Sequence, residues 1–152
     1  MDARLRKALL SHFAISADQL NDVERIFEED KPNFIPRMIE EGYVRSTEFF
    51  RALANEMGWK YYDRSSLIQR KDLAKLLPYS YLKRHGVFPV EQTDDRIVLA
   101  TSNPFDNRPI QEIQAILGGR YKVEIAISDP SAISESLNEA YREIRLWDTF
   151  LC

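Results

Sequence analysis

The chain of 152 residues contains one cysteine, Cys152, its last residue. An intrachain disulfide is excluded, which fits a reducing compartment. No uninterrupted apolar run approaches the roughly 20 residues that span a bilayer. The opening MDARLRKALLSHF reads as a poor signal peptide, because Arg, Lys and His interrupt its apolar positions. Membrane association is therefore expected to be peripheral or through a partner. Glycine is scarce, at 5 residues, and no G-x-x-x-x-G-K-[ST] loop occurs. A phosphate cradle of that kind is thus missing from these residues. The 2 histidines, His12 and His85, lie in different halves, without the Cys/His/carboxylate spacing of a zinc site. No nucleophile elbow or activating base is legible. The expectation is a protein without catalytic residues, metal or cofactor.

Excess charge is also missing. The net value of −3 predicts no nucleic-acid footprint. Its distribution is uneven. Residues 1–58 hold 8 Lys/Arg against 11 Asp/Glu, whereas residues 59–86 hold 7 Lys/Arg against 2 Asp. The basic stretch reads as a solvated surface, or as a face for an acidic partner or anionic lipid. Glu28-Glu29-Asp30 reads as a solvated helix end, and Asp94-Asp95 as a hairpin turn.

What is present is helical periodicity over residues 1–58. Leu5, Ala8, Leu9 and Phe13 form one apolar face. Ser16 with Gln19 predicts a capping box opening a second helix, with Leu20, Val23, Ile26 and Phe27 inward. A third helix is expected from Asn33 through Met38 and Ile39, ended by Gly42. A fourth is expected from Ser46 or Thr47, carrying Phe49, Phe50, Ala52, Leu53 and Met57. At an offset of 29, Leu9 meets Met38, Leu10 meets Ile39, Leu20 meets Phe49 and Val23 meets Ala52. The pattern reads as a duplicated helix-turn-helix unit.

Residues 59–75 read as a linker, with a short strand at Tyr61-Tyr62, a loop over 63–69 and a short helix over 71–77 halted by Pro78. Residues 76–146 read as helix, strand, strand, helix, strand, helix. Pro109 sits in a helical first turn, and Ile110, Ile113 and Ile116-Leu117 form that helix's apolar stripe, closed by Gly118-Gly119. The run YKVEIAIS alternates as a half-buried strand, and Asp129-Pro130 caps a last helix with Ile133, Leu137 and Tyr141 inward. The fold class is α+β: an N-terminal helical repeat, then a small three- to four-stranded sheet packed with helices. Residues 147–152 are expected to be a tail; Leu146 before it and its apolar Trp147, Phe150 and Leu151 lack a following helix pattern and read as packing on the body, as a truncated linker or as a partner contact.

Leu77-Pro78, Pro89-Val90, Val98-Leu99-Ala100 and Asn103-Pro104 follow one another as in a known family. The order resembles the N-terminal, MshEN-like domain of the type II secretion and type IV pilus assembly ATPases, the general secretion pathway protein E family. The resemblance extends to the repeats. In the first unit Arg4-Leu5, Leu9-Leu10, Ile15-Ser16 and Gln19-Leu20 match, while Arg6 and Phe13 replace two glycines and Phe27 a glutamine. In the second, Met38-Ile39, Gly42, Val44 and Ala52-Leu53 match, while Asn33 replaces the arginine, Ile35 a glycine, and Glu48 and Glu56 the glutamines.

The resemblance implies a non-catalytic docking or regulatory domain, cytoplasmic and held at the inner membrane through a partner. That partner would be the cytoplasmic part of an L-like or M-like assembly protein, and the motor domain would belong to a longer parent chain. Phe34, Tyr43, Phe50 and Phe105, aromatics outside the clear core stripes, are the expected anchors for the partner. Some family members bind cyclic di-GMP through these repeats. A retained site would use Arg4, Leu5, Leu9, Leu10 and Gly42. The lost glycines, arginine and glutamines predict that the scaffold is kept and the nucleotide site is not. An accessory module on another enzyme is the third reading.

Overall fold

The computed structural model describes residues 2–12, 16–44 and 47–151, with the backbone alone at 11, 12, 17 and 143–151. Phe13, Ile15, Ser46 and Cys152 lie outside the described residues, as do the side chains of His12 and of Leu146, Trp147, Phe150 and Leu151.

Four helices form the first half: α1 (Ala3–His12), α2 (Ala17–Glu29), α3 (Phe34–Glu40) and α4 (Glu48–Met57). The α2 start is the expected capping box. Gln19 N–H donates to Ser16 Oγ at 3.2 Å, and Ser16 N–H donates to Gln19 Oε1 at 2.9 Å. A 3-10 turn, Lys31–Asn33, leads into α3. Helix α3 ends in a Schellman motif. Tyr43 N–H reaches Met38 O at 2.9 Å and Gly42 N–H reaches Ile39 O at 3.1 Å, with Gly42 at φ +82°.

The duplication is visible in the first helix of each unit. Leu5 and Phe34, and Leu9 and Met38, are buried at the offset of 29. In the second helices the burial register slips: Val23, Ile26 and Phe27 correspond to Phe50, Leu53 and Ala54, an offset of 27. Helix α4 packs against α1 of the other unit and against the later strand Lys122–Ile127.

The second half departs from expectation at its start. Residues 63–69, expected as a loop, contain helix α5 (Arg64–Ile68), capped by Asp63 Oδ1 accepting from Ser66 N–H at 2.8 Å. A 3-10 helix, Lys71–Leu76, follows. Tyr62, Leu67 and Ala74 are buried in the α+β core, and α5 packs on the last helix. The segment expected as a linker thus packs on both cores, Tyr62, Leu67 and Ala74 on the second and Trp59 and Tyr61 on the first. The short strand expected at Tyr61-Tyr62 is a single parallel bridge from Tyr61 to Ile127.

Then come α6 (Tyr79–His85), β1 (Val87–Gln92), β2 (Arg96–Thr101), α7 (Arg108–Ile116), β3 (Lys122–Ile127) and α8 (Pro130–Leu151). The sheet order is β1-β2-β3, antiparallel for β1/β2 and parallel for β2/β3, with a register shift between Pro89 and Glu91. The fold is α+β, mostly helical with one small mixed sheet. In α7, Ile113 is buried but Ile116, expected in the stripe, is 54% exposed, because the inward face runs on from Ile113 to Leu117 one full turn later. Asp129 caps α8 as expected, its Oδ1 accepting from Ala132 N–H at 2.9 Å. The backbone of α8 stays helical to Leu151, where a non-helical tail was expected.

Two apolar clusters result. One joins the sheet with α5–α8; the other joins α1–α4 and includes Ile127 of β3. Among the described residues no helix is long and apolar enough to cross a membrane.

Candidate functional site

The loop after β2 ties the halves together. Asn103 Nδ2 donates to Pro32 O at 2.9 Å, and Asn103 N–H donates to Thr101 Oγ1 at 3.0 Å. The loop sets the half-buried Phe105 edge-on to Phe27 (5.3 Å between centroids), Phe34 (6.0 Å) and Trp59 (6.4 Å). The Asn-Pro element of the sequence is therefore a clasp on the helical half. Tyr61 is a second tie. Its ring lies beneath the Arg51 guanidinium at 4.6 Å, and its hydroxyl donates to Asp129 Oδ2 at 3.3 Å. Burial, and after it the Asp129 charge, push the Tyr61 phenol up to about 12.

These contacts decide the fate of the four expected anchors. Phe34 and Phe50 are 0% and 2% exposed and belong to the helical core. The expectation that they anchor a partner is corrected: α3 turns Phe34, Ile35 and Met38 inward together, and Phe50 packs edge-on against Phe49 at 5.3 Å. Tyr43 and Phe105 are half-buried against the same core. The large apolar side chains left exposed among the described residues are Leu10, Ile39, Leu76 and Ile116. Leu10 (47%) and Ile39 (41%) are equivalents in the two units. The sequence pattern carried that equivalence, but not the exposure.

The residues implied for a nucleotide are spread over different roles. Leu5 and Leu9 are fully buried and hold α1 to the core, so neither offers a surface. Arg4 is exposed and paired with Asp2: its N–H donates to Asp2 Oδ1 at 2.7 Å and its Nη2 lies 3.2 Å from Oδ2. That hydrogen bonding holds the Asp2 carboxyl below its usual range. Arg6 pairs with Glu24 at 2.5 Å, and Lys7 with Glu56 at 3.5 Å. The cations of α1 thus meet carboxylates of this same chain. Gly42 caps α3, and a Cβ there would meet nothing within 4 Å, so the glycine serves its φ and not a close approach.

The basic stretch 59–86 is likewise engaged within the chain. Arg64 pairs with Glu135 at 2.9 Å, Lys75 with Asp72 at 3.9 Å and Arg84 with Glu112 at 3.2 Å. Lys60 and Arg70 lie over the Tyr62 ring at 5.1 and 5.0 Å. His85 Nε2 also meets Glu112. Among the described residues no group of His, Cys, Asp and Glu could hold a metal ion.

A cleft of about 500 Å³ opens beside β3, lined by Gly58, Trp59 and Lys60 on one side and by Val123, Glu124 and Ile125 on the other. Arg96, which also lines the cleft, bridges Glu91 at 2.5 Å and Glu124 at 3.4 Å.

Comparison with known proteins places the chain. The sequence model of the MshEN domain matches residues 58–145. The type IV pilus assembly ATPase PilB of Myxococcus xanthus is 20% identical over 143 residues, which cover 94% of this chain and 25% of that protein. PilB of Thermus thermophilus is 25% identical over 112 residues, covering 72% and 13%. The chain therefore spans a quarter or less of these relatives. Among solved structures, MshE with cdg superposes with a TM-score of 0.68 at 20% identity, over 92% of this chain and 100% of that one. The N-terminal domain of XpsE superposes with a TM-score of 0.59 at 19% identity, over 89% and 92%. At these identities the superpositions show a shared fold. With the sequence match spanning more than half of its residues, the chain belongs to the MshEN domain family.

Proposed function

We propose that this chain is a non-catalytic docking and regulatory domain of a type II secretion or type IV pilus assembly ATPase. It ties a motor domain, carried in a longer parent chain, to the cytoplasmic part of an L-like or M-like inner-membrane assembly protein. The observation that carries the reading is the domain match over residues 58–145, joined to relatives named as pilus assembly ATPases of which the chain spans only a fraction. Such a domain would sit in the cytoplasm, peripheral to the inner membrane. With Phe34 and Phe50 in the core, the exposed Leu10 on α1 and Ile39 on α3 become the preferred apolar anchors. The test is titration calorimetry of the purified chain with the cytoplasmic domains of both assembly proteins. Saturable binding to one, weakened about tenfold or more by Leu10→Ser or Ile39→Ser, is the expected result. Binding to neither domain would overturn the reading.

A second reading, a cyclic di-GMP receptor, is favoured by the shared fold with MshE, solved with cdg. The residues argue against it here. Arg4, Arg6 and Lys7 are each paired with a carboxylate of the chain, and Glu56 stands where the family resemblance has a glutamine. A bis-phosphate ligand would have to displace those partners and then lie near them.

A further inference from the structure

A small pocket lies between α6 and α8, beside the end of β2, with a volume of about 110 Å³. Water takes about 30 Å³ per molecule in the liquid, so the pocket has room for a ligand of roughly four to six heavy atoms. It is far below the roughly 300–1,000 Å³ of larger ligand sites, which excludes a nucleotide. Helical spacing builds its walls. Tyr79 and Lys83 stand one turn apart on α6, and Ile133, Ser134, Leu137 and Asn138 line it from two turns of α8. Ile133 and Leu137 are buried and form an apolar floor. Ser134 and Asn138 are exposed and stand at the rim, with the half-buried Ser102 from the loop after β2.

The charge of this pocket is of one sign. No Asp or Glu lines it. Asp129, just before α8, is taken up by Ala132 N–H, the Ser131 hydroxyl and the Tyr61 hydroxyl. The Lys83 ammonium lies 6.0 Å from the Tyr79 ring centroid and meets no carboxylate among the described residues. Arg64, Lys75 and Arg84 of the same basic stretch each do. The Tyr79 ring is held in place, stacked on Tyr141 at 3.9 Å, and its hydroxyl donates to Asn138 Oδ1 at 3.3 Å. That bond occupies the amide oxygen of Asn138 and leaves Nδ2 to donate.

We infer that this pocket binds a short monocarboxylate, of about two to four carbons by its volume. The carboxylate sits at the rim, against Lys83 and the neutral donors Ser102, Ser134 and Asn138 Nδ2; the alkyl group lies on Ile133 and Leu137. One cation matches one negative charge. A phosphate dianion would keep a charge unmatched and would press oxygen onto the apolar floor. An amine would meet an ammonium instead of a carboxylate. A neutral amide of the same shape would fit but forgo the charge-assisted bond. Since Lys83 belongs to α6 and Ser134 and Asn138 to α8, the occupant ties the last helix to α6.

The probe is sodium propionate, titrated into the whole chain near neutral pH and followed by amide NMR. Propionamide and inorganic phosphate serve as controls at matched ionic strength. Saturable shifts at the amides of Lys83, Ser102, Ser134 and Asn138 are expected, with a Kd of about 1 mM, since so few atoms bind. Propionamide and phosphate should each bind at least about tenfold more weakly. Lys83→Met removes the charge, keeps the stem and falls on an exposed side chain, so the fold should persist in the same spectra. It is expected to weaken propionate about tenfold, and Lys83→Arg to restore most of the loss. Propionamide binding as well as propionate, or a folded Lys83→Met chain binding unchanged, would overturn the inference. Shifts that do not saturate or that map elsewhere would overturn it too. Phosphate binding as tightly as propionate would assign the pocket to inorganic anions and overturn the carboxylate reading.

Discussion

Tyr61 joins the two halves through its ring, its hydroxyl and its backbone, each to a different element. Its phenol is held protonated to about 12, as is that of Tyr81, which burial raises likewise and whose hydroxyl donates to Pro109 O. Between about pH 10 and 12 the unfolded tyrosines release protons that the folded ones keep. Stability should therefore be full below pH 10 and fall as pH rises through this window. Denaturant melts across it should show a shallower fall for Tyr61→Phe, the remaining slope belonging to Tyr81. An unchanged slope would mean that Tyr61 is not set apart from solvent. Gly42 gives a second test at this scale. Gly42→Ala should cost about 1 kcal/mol, since an L side chain at φ +82° is strained although nothing fills the space. Asn, more tolerant of this region, should cost less in the same melts.

At the scale of elements, α5 has five residues and one buried side chain, Leu67, so its stability rests heavily on its cap. Asp63→Ala should lower overall stability by about 1 kcal/mol, measured by urea titration. That same shortness hid α5 in the sequence, because five residues carry no periodicity, whereas Asp63 at an N-cap was a signal that went unused. The longer elements were legible for physical reasons. Ser16 and Gln19 announced their box, Asp129-Pro130 announced α8, and the offset of 29 paired Leu9 with Met38 correctly. The candidate site was less legible. Periodicity could not tell that Phe34 and Phe50 face the core, since neighbouring helices decide which face is covered. Nor could it show that Lys7 meets Glu56, a contact between α1 and α4 that exists only after packing.

At the scale of the molecule, two cores share a seam made by Ile127, Tyr61 and the Phe105 clasp. Phe105→Ala should remove about 2 kcal/mol of stability, less than a fully buried phenylalanine because the ring is half exposed. Tyr62, Leu67 and Ala74 anchor the segment 59–75 in the α+β core, and Trp59 and Tyr61 pack on the helical one, so limited proteolysis should leave it uncut in the wild-type chain. The proposed function predicts a surface that docks a protein and does not hold a nucleotide. The most direct measurement is titration calorimetry of this chain with cyclic di-GMP. Loss of two charge-assisted hydrogen bonds costs about 3–6 kcal/mol, or roughly two to four decades of affinity. No saturable heat is expected at micromolar nucleotide. Low-micromolar or tighter binding, abolished by Arg4→Ala, would contradict the claim that the paired cations of α1 have closed the site.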